Sequence, residues 1–243
     1  MIKILGIDPG SINTGYGIIE SKANHNKHIK SGVIQVKGET LAEKLKTINA
    51  EIITIIKTFE PDEIENLRLS HPTSDEPLVS VLIPVYNQLG YTLKCLQSIA
   101  EHEPKVAFEV VVADDCSTDA TPQVLARING LRVVRNPENL KFLLSCNRAV
   151  DFCRGKYVFL LNNDTVVSGG WLDTLTDVFE TRPDAGLVGS KLVYPDGRLQ
   201  EAGGIVWQDG SAWNFGRLQD AEAAEFNYVR ETDYISGAAI MFP

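Results

Sequence analysis

Three positions in the 243-residue chain set a carboxylate or carboxamide at the polar end of a mostly apolar run: Asn87, Asp114 and Asp164. The most informative is Asp164. Tyr157-Val158-Phe159-Leu160-Leu161 runs straight into Asn162-Asn163-Asp164-Thr165. In open α/β sheets, ligands sit outside the carboxyl ends of the strands. A carboxylate there can hold a hard divalent cation, and the cation can neutralise a diphosphate. Asp114, after Phe108-Glu109-Val110-Val111-Val112-Ala113, can accept from the N–H of a nucleobase. For each position the alternative is a turn, because Asn and Asp favour turns. A lone Asp114-Asp115-Cys116-Ser117-Thr118-Asp119 stretch is a weak signal. Three polar strand ends in succession are a much stronger one.

The elements that must position these groups follow from the pattern. Residues 157–161 show no period-2 alternation, so they read as a strand buried on both faces, as in a parallel sheet. Gly155 before them and Ser168-Gly169-Gly170 after them punctuate a short element. Residues 78–84 form a second such strand. The next helix sets Leu93, Leu96, Gln97 and Ala100 on one face. A strand follows at 108–113. Ser117 or Thr118 then caps a helix containing Val124 and Leu125. A further strand at 131–134 and a helix over 146–153 lead to 157–161. This alternation predicts a doubly wound parallel sheet.

Composition bounds the function and divides the chain. Apolar content is 44% and the net charge is −9, which argues against a broad nucleic-acid surface. No apolar run approaches the ~18 residues of a membrane helix, and residues 1–10 lack the features of a signal peptide. The four Cys (95, 116, 146 and 153) have no CxxC spacing and read as reduced thiols of a cytoplasmic chain. Residues 1–64 hold 14 of the 20 Ile, 8 Lys and no Arg, whereas residues 65–243 hold 5 Lys and 10 Arg. The first segment is neutral, so the whole excess of negative charge belongs to the second. The polar, Pro-containing stretch 65–77 reads as a linker between them.

Specific resemblances sharpen both halves. VSVLIPVYN, VVVADDCSTD, NPENLKFLLSCNRA and YVFLLNNDT resemble four successive motifs of family 2 glycosyltransferases of GT-A fold, a Rossmann-like, mostly parallel α/β architecture. WLDTL, PDAGLVGSKLVYPDGRLQEAGG and SGAAIMF fit the cell-envelope polysaccharide branch of that family. The resemblance covers 78–243. It implies transfer of a sugar, with inversion, from a nucleotide diphosphate sugar to a hydroxyl of a glycan or lipid-linked acceptor. It implies a cytoplasmic protein, peripheral at the inner membrane face if the acceptor is lipid-linked. Pro84, Tyr86, Asn87 and Asp114 would line the nucleoside pocket, and Asn139 and Asn147 would lie near the ribose or diphosphate. Asp115 and Asn163 complete the donor-binding set. Asp164 would be the metal ligand of a DxD-type motif written NND, holding Mg2+ or Mn2+. The catalytic base of the family is expected beyond Pro243. Lys141 departs from the usual Gly, Leu144 from a common basic residue, and Cys116 from a small turn residue. Cys116 is read as a buried small side chain, not a nucleophile.

The first segment reads as strands at 2–8, 15–19 and 30–36, with Pro9-Gly10 as a turn. A helix then carries Leu41, Leu45, Ile48, Ile52, Ile55 and Ile56, and 62–64 could open another strand. ILGIDPGSINTGYGII, SGVI and FEPDEI resemble the amino-terminal part of the RuvC Holliday-junction resolvases, implying a partial ribonuclease-H-like fold. Two-metal phosphodiester cleavage in that family needs about four carboxylates. Asp8 matches the first, Glu65 is a poor match for the second, and Asp8 is read as vestigial. Three functions stand at this point: a glycosyltransferase, a DNA-junction binder or nuclease acting through 1–64 (DNA being the less favoured partner), and an inactive chimera that binds nucleotide. Among smaller signals, Trp207 and Trp213 flank the hairpin turn Asp209-Gly210 and are read as packing residues, with stacking on an acceptor sugar as the alternative. His25 and His28 are placed in a solvated loop, and 222–225 on an exposed helix face.

Overall fold

The computed structural model describes residues 2–8, 13–22, 25–35, 37, 43, 47, 50–52, 54, 55 and 76–243. The chain divides into two compact units: Met1–Arg68 with Asp119–Asn129, and Leu69–Thr118 with Gly130–Pro243. Of the predicted linker, only 76 and 77 fall within the described residues. The predicted turn at Pro9-Gly10, the strand at 62–64 and Glu65 lie outside them.

In the first unit, β1 (Ile2–Asp8), β2 (Asn13–Lys22) and β3 (His25–Gln35) form an antiparallel sheet in that order. Asp8 ends β1 and pairs with Gly15. Residues 43, 47, 50–52, 54 and 55 are helical. Ile18, Ile34 and Ile55 are buried together, with Tyr16, Ile29 and Ile52 packed around them. Of the predicted helical face, Ile52 and Ile55 join this small aliphatic core, while Leu41, Leu45, Ile48 and Ile56 lie outside the described residues. His25 and His28 belong to β3 and not to a loop. His28 is exposed, with Nε2 3.1 Å from Ser31 Oγ.

The second unit is built on a six-stranded sheet. Its strands are β4 (Val79–Val85), β5 (Phe108–Asp114), β6 (Leu131–Arg135), β7 (Tyr157–Leu161), β8 (Val188–Gly189) and β13 (Ala239–Phe242). The spatial order is β6-β5-β4-β7-β13-β8. The first four are mutually parallel, and β13 is antiparallel to both neighbours. The strand β4 comes first in sequence, with β5 on one side and β7 on the other, so the order reverses there. Such a switch point leaves a crevice at the carboxyl ends. Every residue of β5 is buried, Glu109 and Asp114 included, as in a strand covered on both faces.

Helices cover both faces. The helix α3 (Lys141–Val150) packs Cys146 and Ala149 against Leu82, Val111, Ala113, Val134 and Val158. On the other face, α4 (Trp171–Thr181) stacks Phe179 on Tyr157 and sets Trp171 against Phe159. Each fully buried Leu, Ile or Phe in these layers contributes about 1.5–3 kcal/mol. The helix α1 (Leu89–Glu101) buries Thr92, Cys95, Leu96, Ser98 and Ile99. The predicted face is thus rotated: Gln97 is exposed and donates to Glu101 Oε1 at 2.8 Å. The helix α2 (Thr121–Leu125), which falls in the first unit, is not capped by Ser117 or Thr118; Asp119 Oδ1 accepts its first N–H at 2.9 Å.

Beyond α4 the chain makes two small antiparallel pairs. One joins β9 (Leu192–Val193) to β10 (Leu199–Glu201), and the other joins β11 (Gly204–Val206) to β12 (Ala212–Asn214). The latter is the hairpin announced by Asp209-Gly210. Its tryptophans are not packing residues: Trp207 is 53% and Trp213 69% exposed. Trp213 faces Ile205 across the ladder, and the Trp207 N–H reaches the Ser211 carbonyl. Period-2 alternation therefore sets both rings on the same face of the hairpin. Residues 222 and 225 are exposed as predicted, but the element there is a single 3-10 turn, Ala224–Phe226.

Candidate functional site

Four of the five non-glycine residues with positive φ among the described residues lie in the loops and at the helix start that follow the carboxyl edge of this sheet. They are Asn87 (58°), Gln88 (60°), Cys116 (63°) and Lys141 (66°). Left-handed backbone is costly for residues with a Cβ, and such strain gathers at functional sites. The edge also holds every predicted site residue of the second unit that ends a strand.

Near the end of β4, Pro84 is half-buried, and just after the strand Tyr86 is 49% exposed. Asn87 ties this loop to the next one: its N–H donates to Ser117 Oγ at 2.8 Å, and its Oδ1 accepts the Thr118 N–H at 2.8 Å. After β5, the Asp114 side chain is wholly buried. Its Oδ1 accepts the Ser117 N–H at 2.9 Å, and its Oδ2 is paired with Arg135. Asp115 is also buried. It accepts from Asn136 Nδ2 (2.8 Å), the Leu140 N–H (2.8 Å) and the Lys141 N–H (2.9 Å). Asp115 therefore acts as the cap of α3 from 25 residues away, answering two of the N–H groups that a helix start leaves unpaired. Cys116 is half-exposed, not buried, and its Sγ lies 3.7 Å from the Pro137 carbonyl.

At the start of α3, Asn139 Oδ1 accepts the Lys141 N–H at 3.2 Å, while Asn147 is exposed on the helix. The helix starts five residues before the predicted 146, and Phe142, Leu143 and Leu144 are exposed on its first turn. After β7, residues 162–165 do form a turn: the Thr165 N–H and Oγ1 both reach the Asn162 carbonyl. Asn163 donates to Thr92 Oγ1 at 3.0 Å, pinning the turn to α1. Asp164, the next residue, is exposed. The turn and the ligand are not alternatives here, because the turn holds the carboxylate outward. Beneath it, burial pushes the Cys95 thiol up to about 12, against a hydrogen bond from Thr165 and with the Asp164 charge adding to the rise. Burial likewise lifts Cys146 and Cys153 to about 11. These three are inert thiols at neutral pH, and all four cysteines are free.

Among the described residues, no group of three His, Cys, Asp or Glu could hold a metal ion alone. A cation at Asp164 would take its remaining ligands from diphosphate oxygens and water, as Mg2+ commonly does. A cavity of about 300 Å3 lies elsewhere, at the amino ends of β5 and β6, lined by Glu109, Val110, Gly130, Leu131, Arg132 and Arg154. Glu109 is buried there and bound by Ser80, Arg132 and Arg154. Its charges answer one another, and the strand-end rule for α/β sheets favours the opposite edge. The residues missed in sequence are Arg135 and Arg148. Arg148 Nη1 donates to Asn136 Oδ1 at 2.5 Å and to the Arg135 carbonyl at 3.2 Å. Nothing in the sequence singled either out from the other arginines of this segment.

Comparison with known proteins fits this geometry. Residues 4–70 match the family model of the crossover junction endodeoxyribonuclease RuvC. Over 63 residues, 26% of this chain, it is 46% identical to the RuvC of Hahella chejuensis and covers 37% of that protein. It is 34% identical over 161 residues, 64% of its length, to the uncharacterized protein y4gI of Sinorhizobium fredii, and covers 18% of that protein. The chain thus spans well under half the length of both curated relatives. Among solved structures, S. aureus TarS 1-349 in complex with UDP-GlcNAc is 29% identical with a TM-score of 0.44, over 49% of this chain and 36% of that one. The family model for glycosyl transferase family 2 matches residues 80–239, more than half of the chain and all of the strand-end loops described above, so the chain belongs to glycosyl transferase family 2.

Proposed function

We propose that the second unit transfers a sugar, with inversion, from a nucleotide diphosphate sugar to a hydroxyl of a glycan or lipid-linked acceptor in cell-envelope polysaccharide synthesis. One observation carries this beyond family membership. The strained loops after β4 and β5, the start of α3 and the outward Asp164 converge on the carboxyl edge of one sheet, around its switch point. That is where an α/β sheet binds nucleotides. Asp164 would hold Mg2+ or Mn2+, which when bound neutralises the charge of the departing diphosphate. Asn163 and Thr92 hold the Asp164 turn in place, and Asn87, Ser117 and Thr118 hold the nucleoside side of the crevice. Tyr86 is the exposed ring on that side and stands ready to cover a base. No described residue is assigned as the catalytic base.

No helix among the described residues is long and apolar enough to cross a membrane. We place the reaction in the cytoplasm, at the inner membrane face when the acceptor is lipid-linked. Residues 4–70 receive no nuclease role, because Asp8 is their only carboxylate at a matching motif position.

Calorimetry with UDP and GDP tests the reading. Mn2+ should tighten binding of one of them by about tenfold or more, the scale of one charge-assisted contact. Asp164→Ala should remove that gain. Equal affinity with and without Mn2+ sinks the metal assignment, and no binding of any nucleoside diphosphate sinks the transferase reading.

A further inference from the structure

Asp114 and Arg135 are paired neighbours at the ends of β5 and β6. Their exposure differs completely: the Asp114 side chain is 0% exposed and that of Arg135 is 43%. A ligand arriving at this edge meets the guanidinium, not the carboxylate behind it. The guanidinium is held by two acceptors. Nη1 is paired with Asp114 Oδ2, and Nη2 donates to the Ser117 carbonyl at 2.9 Å. Two of five N–H donors are thereby spent, and the rest of the fork is fixed in direction at the surface. Because Asp114 Oδ1 also takes the Ser117 N–H, and Ser117 Oγ takes the Asn87 N–H, the arginine's orientation is locked to the loops after β4 and β5.

Its place across the sheet says which part of a nucleotide it meets. Two strands, β5 and β4, separate β6 from β7. At ~4.8 Å per strand, Arg135 lies about 14 Å across the sheet from the strand that carries Asp164. With the diphosphate at Asp164, the far end of a nucleotide laid along this edge is its base. The free donors there call for acceptors, which are the ring carbonyl oxygens of uracil or guanine.

We propose that Arg135 contacts the nucleobase of the donor through its carbonyl oxygens, and that the buried Asp114 is the positioning residue that aligns it. The inference rests on the transferase reading above.

Calorimetry on four proteins decides it: wild type, Asp114→Asn, Arg135→Lys, and the double variant Arg135→Gln/Asp114→Asn, which leaves no unpaired buried charge. The probes are UDP, GDP, ADP (whose base has no carbonyl oxygen) and pyrophosphate, all with Mn2+. The double variant should lose about tenfold or more for the better of UDP and GDP, as expected for a lost charge-assisted hydrogen bond. Pyrophosphate affinity should not change, and ADP should bind weakly to every protein. Asp114→Asn alone should lose about threefold or less, because its amide oxygen can still align the arginine. Should the double variant not fold in a melting scan, Arg135→Lys carries the same comparison, since it retains a charge opposite Asp114. Wild-type affinity in the arginine variants overturns the proposal. So does an equal loss in Asp114→Asn and the double variant, or a parallel loss for pyrophosphate. If wild type binds none of the three nucleotides, it is the transferase reading itself that falls.

Discussion

The two ends of the same sheet use their charges in opposite ways. At the amino end, Glu109 is buried with its oxygens bonded to Ser80 Oγ (2.7 Å), the Arg154 N–H (2.7 Å) and Arg154 Nε (3.0 Å), with Arg132 alongside. Gly155 completes the closure, because a Cβ there would come within 2.4 Å of the Ser80 backbone nitrogen. At the carboxyl end, Asp164 stands exposed on a pinned turn. Charges that answer one another hold a fold together, while charges left facing water are available to a ligand. Backbone strain follows the same division: the left-handed residues Asn87, Gln88, Cys116 and Lys141 belong to the open end.

The largest effect that would test this contrast is on turnover. Asp164→Ala should lower sugar transfer by about 10²–10³-fold, the scale of one electrostatic stabiliser of developing charge. Its melting temperature should not move, because an exposed side chain without partners contributes little to stability. Initial rates and a thermal scan measure both. A destabilised Asp164 variant would erase the distinction between the two ends.

Glu109→Ala should show the reverse. It strips the buried donors of Ser80 and Arg154 of their acceptor, at about 3 kcal/mol of unfolding free energy in urea, with nucleotide affinity intact. The pH dependence has a definite sign. Burial opposes the Glu109 charge, but the hydrogen bonds from Ser80 and Arg154 and the Arg154 charge outweigh it and hold the carboxyl below its ordinary value. A depressed carboxylate stabilises the fold fully above its unfolded value of about 4.3 and loses that contribution as pH falls through its lower folded value. Glu109→Gln should flatten that part of the acid limb. Unchanged acid sensitivity would show that the closed end is not held by this ionisation.

The smallest effect concerns strain. Lys141 sits at φ 66° with its N–H bonded to Asp115 and Asn139. Lys141→Gly should raise stability by about 1 kcal/mol, relief of left-handed backbone less the loss of helix propensity. A loss of stability in chemical denaturation would mean that the Lys141 side chain holds the open end together.

Much of this was legible from local pattern. The strand 157–161 was found at its true bounds because five apolar residues ending in Asn-Asn-Asp have no helical alternative of that length. The Ile periodicity of the first segment gave Ile52 and Ile55 their place in its core. The start of α3 was not legible, because three consecutive apolar residues, 142–144, hide the amphipathic face. What fixes that start is Asp115, far away in sequence. The exposure of Trp207 and Trp213 was missed for a related reason: composition favours burial of Trp, and only the hairpin register decides which face they take.

For the site, the sequence by itself determined which residue types stand at the strand ends, since apolar runs and their polar stops are local properties of the chain. It named Asn87, Asp114 and Asp164 in that way. Only the tertiary structure decided which of them a ligand can reach. Burial and pairing depend on groups brought together from distant strands. Asp114 and Arg135 are equivalent charged letters in the sequence, and the register of β5 against β6 puts one behind the other.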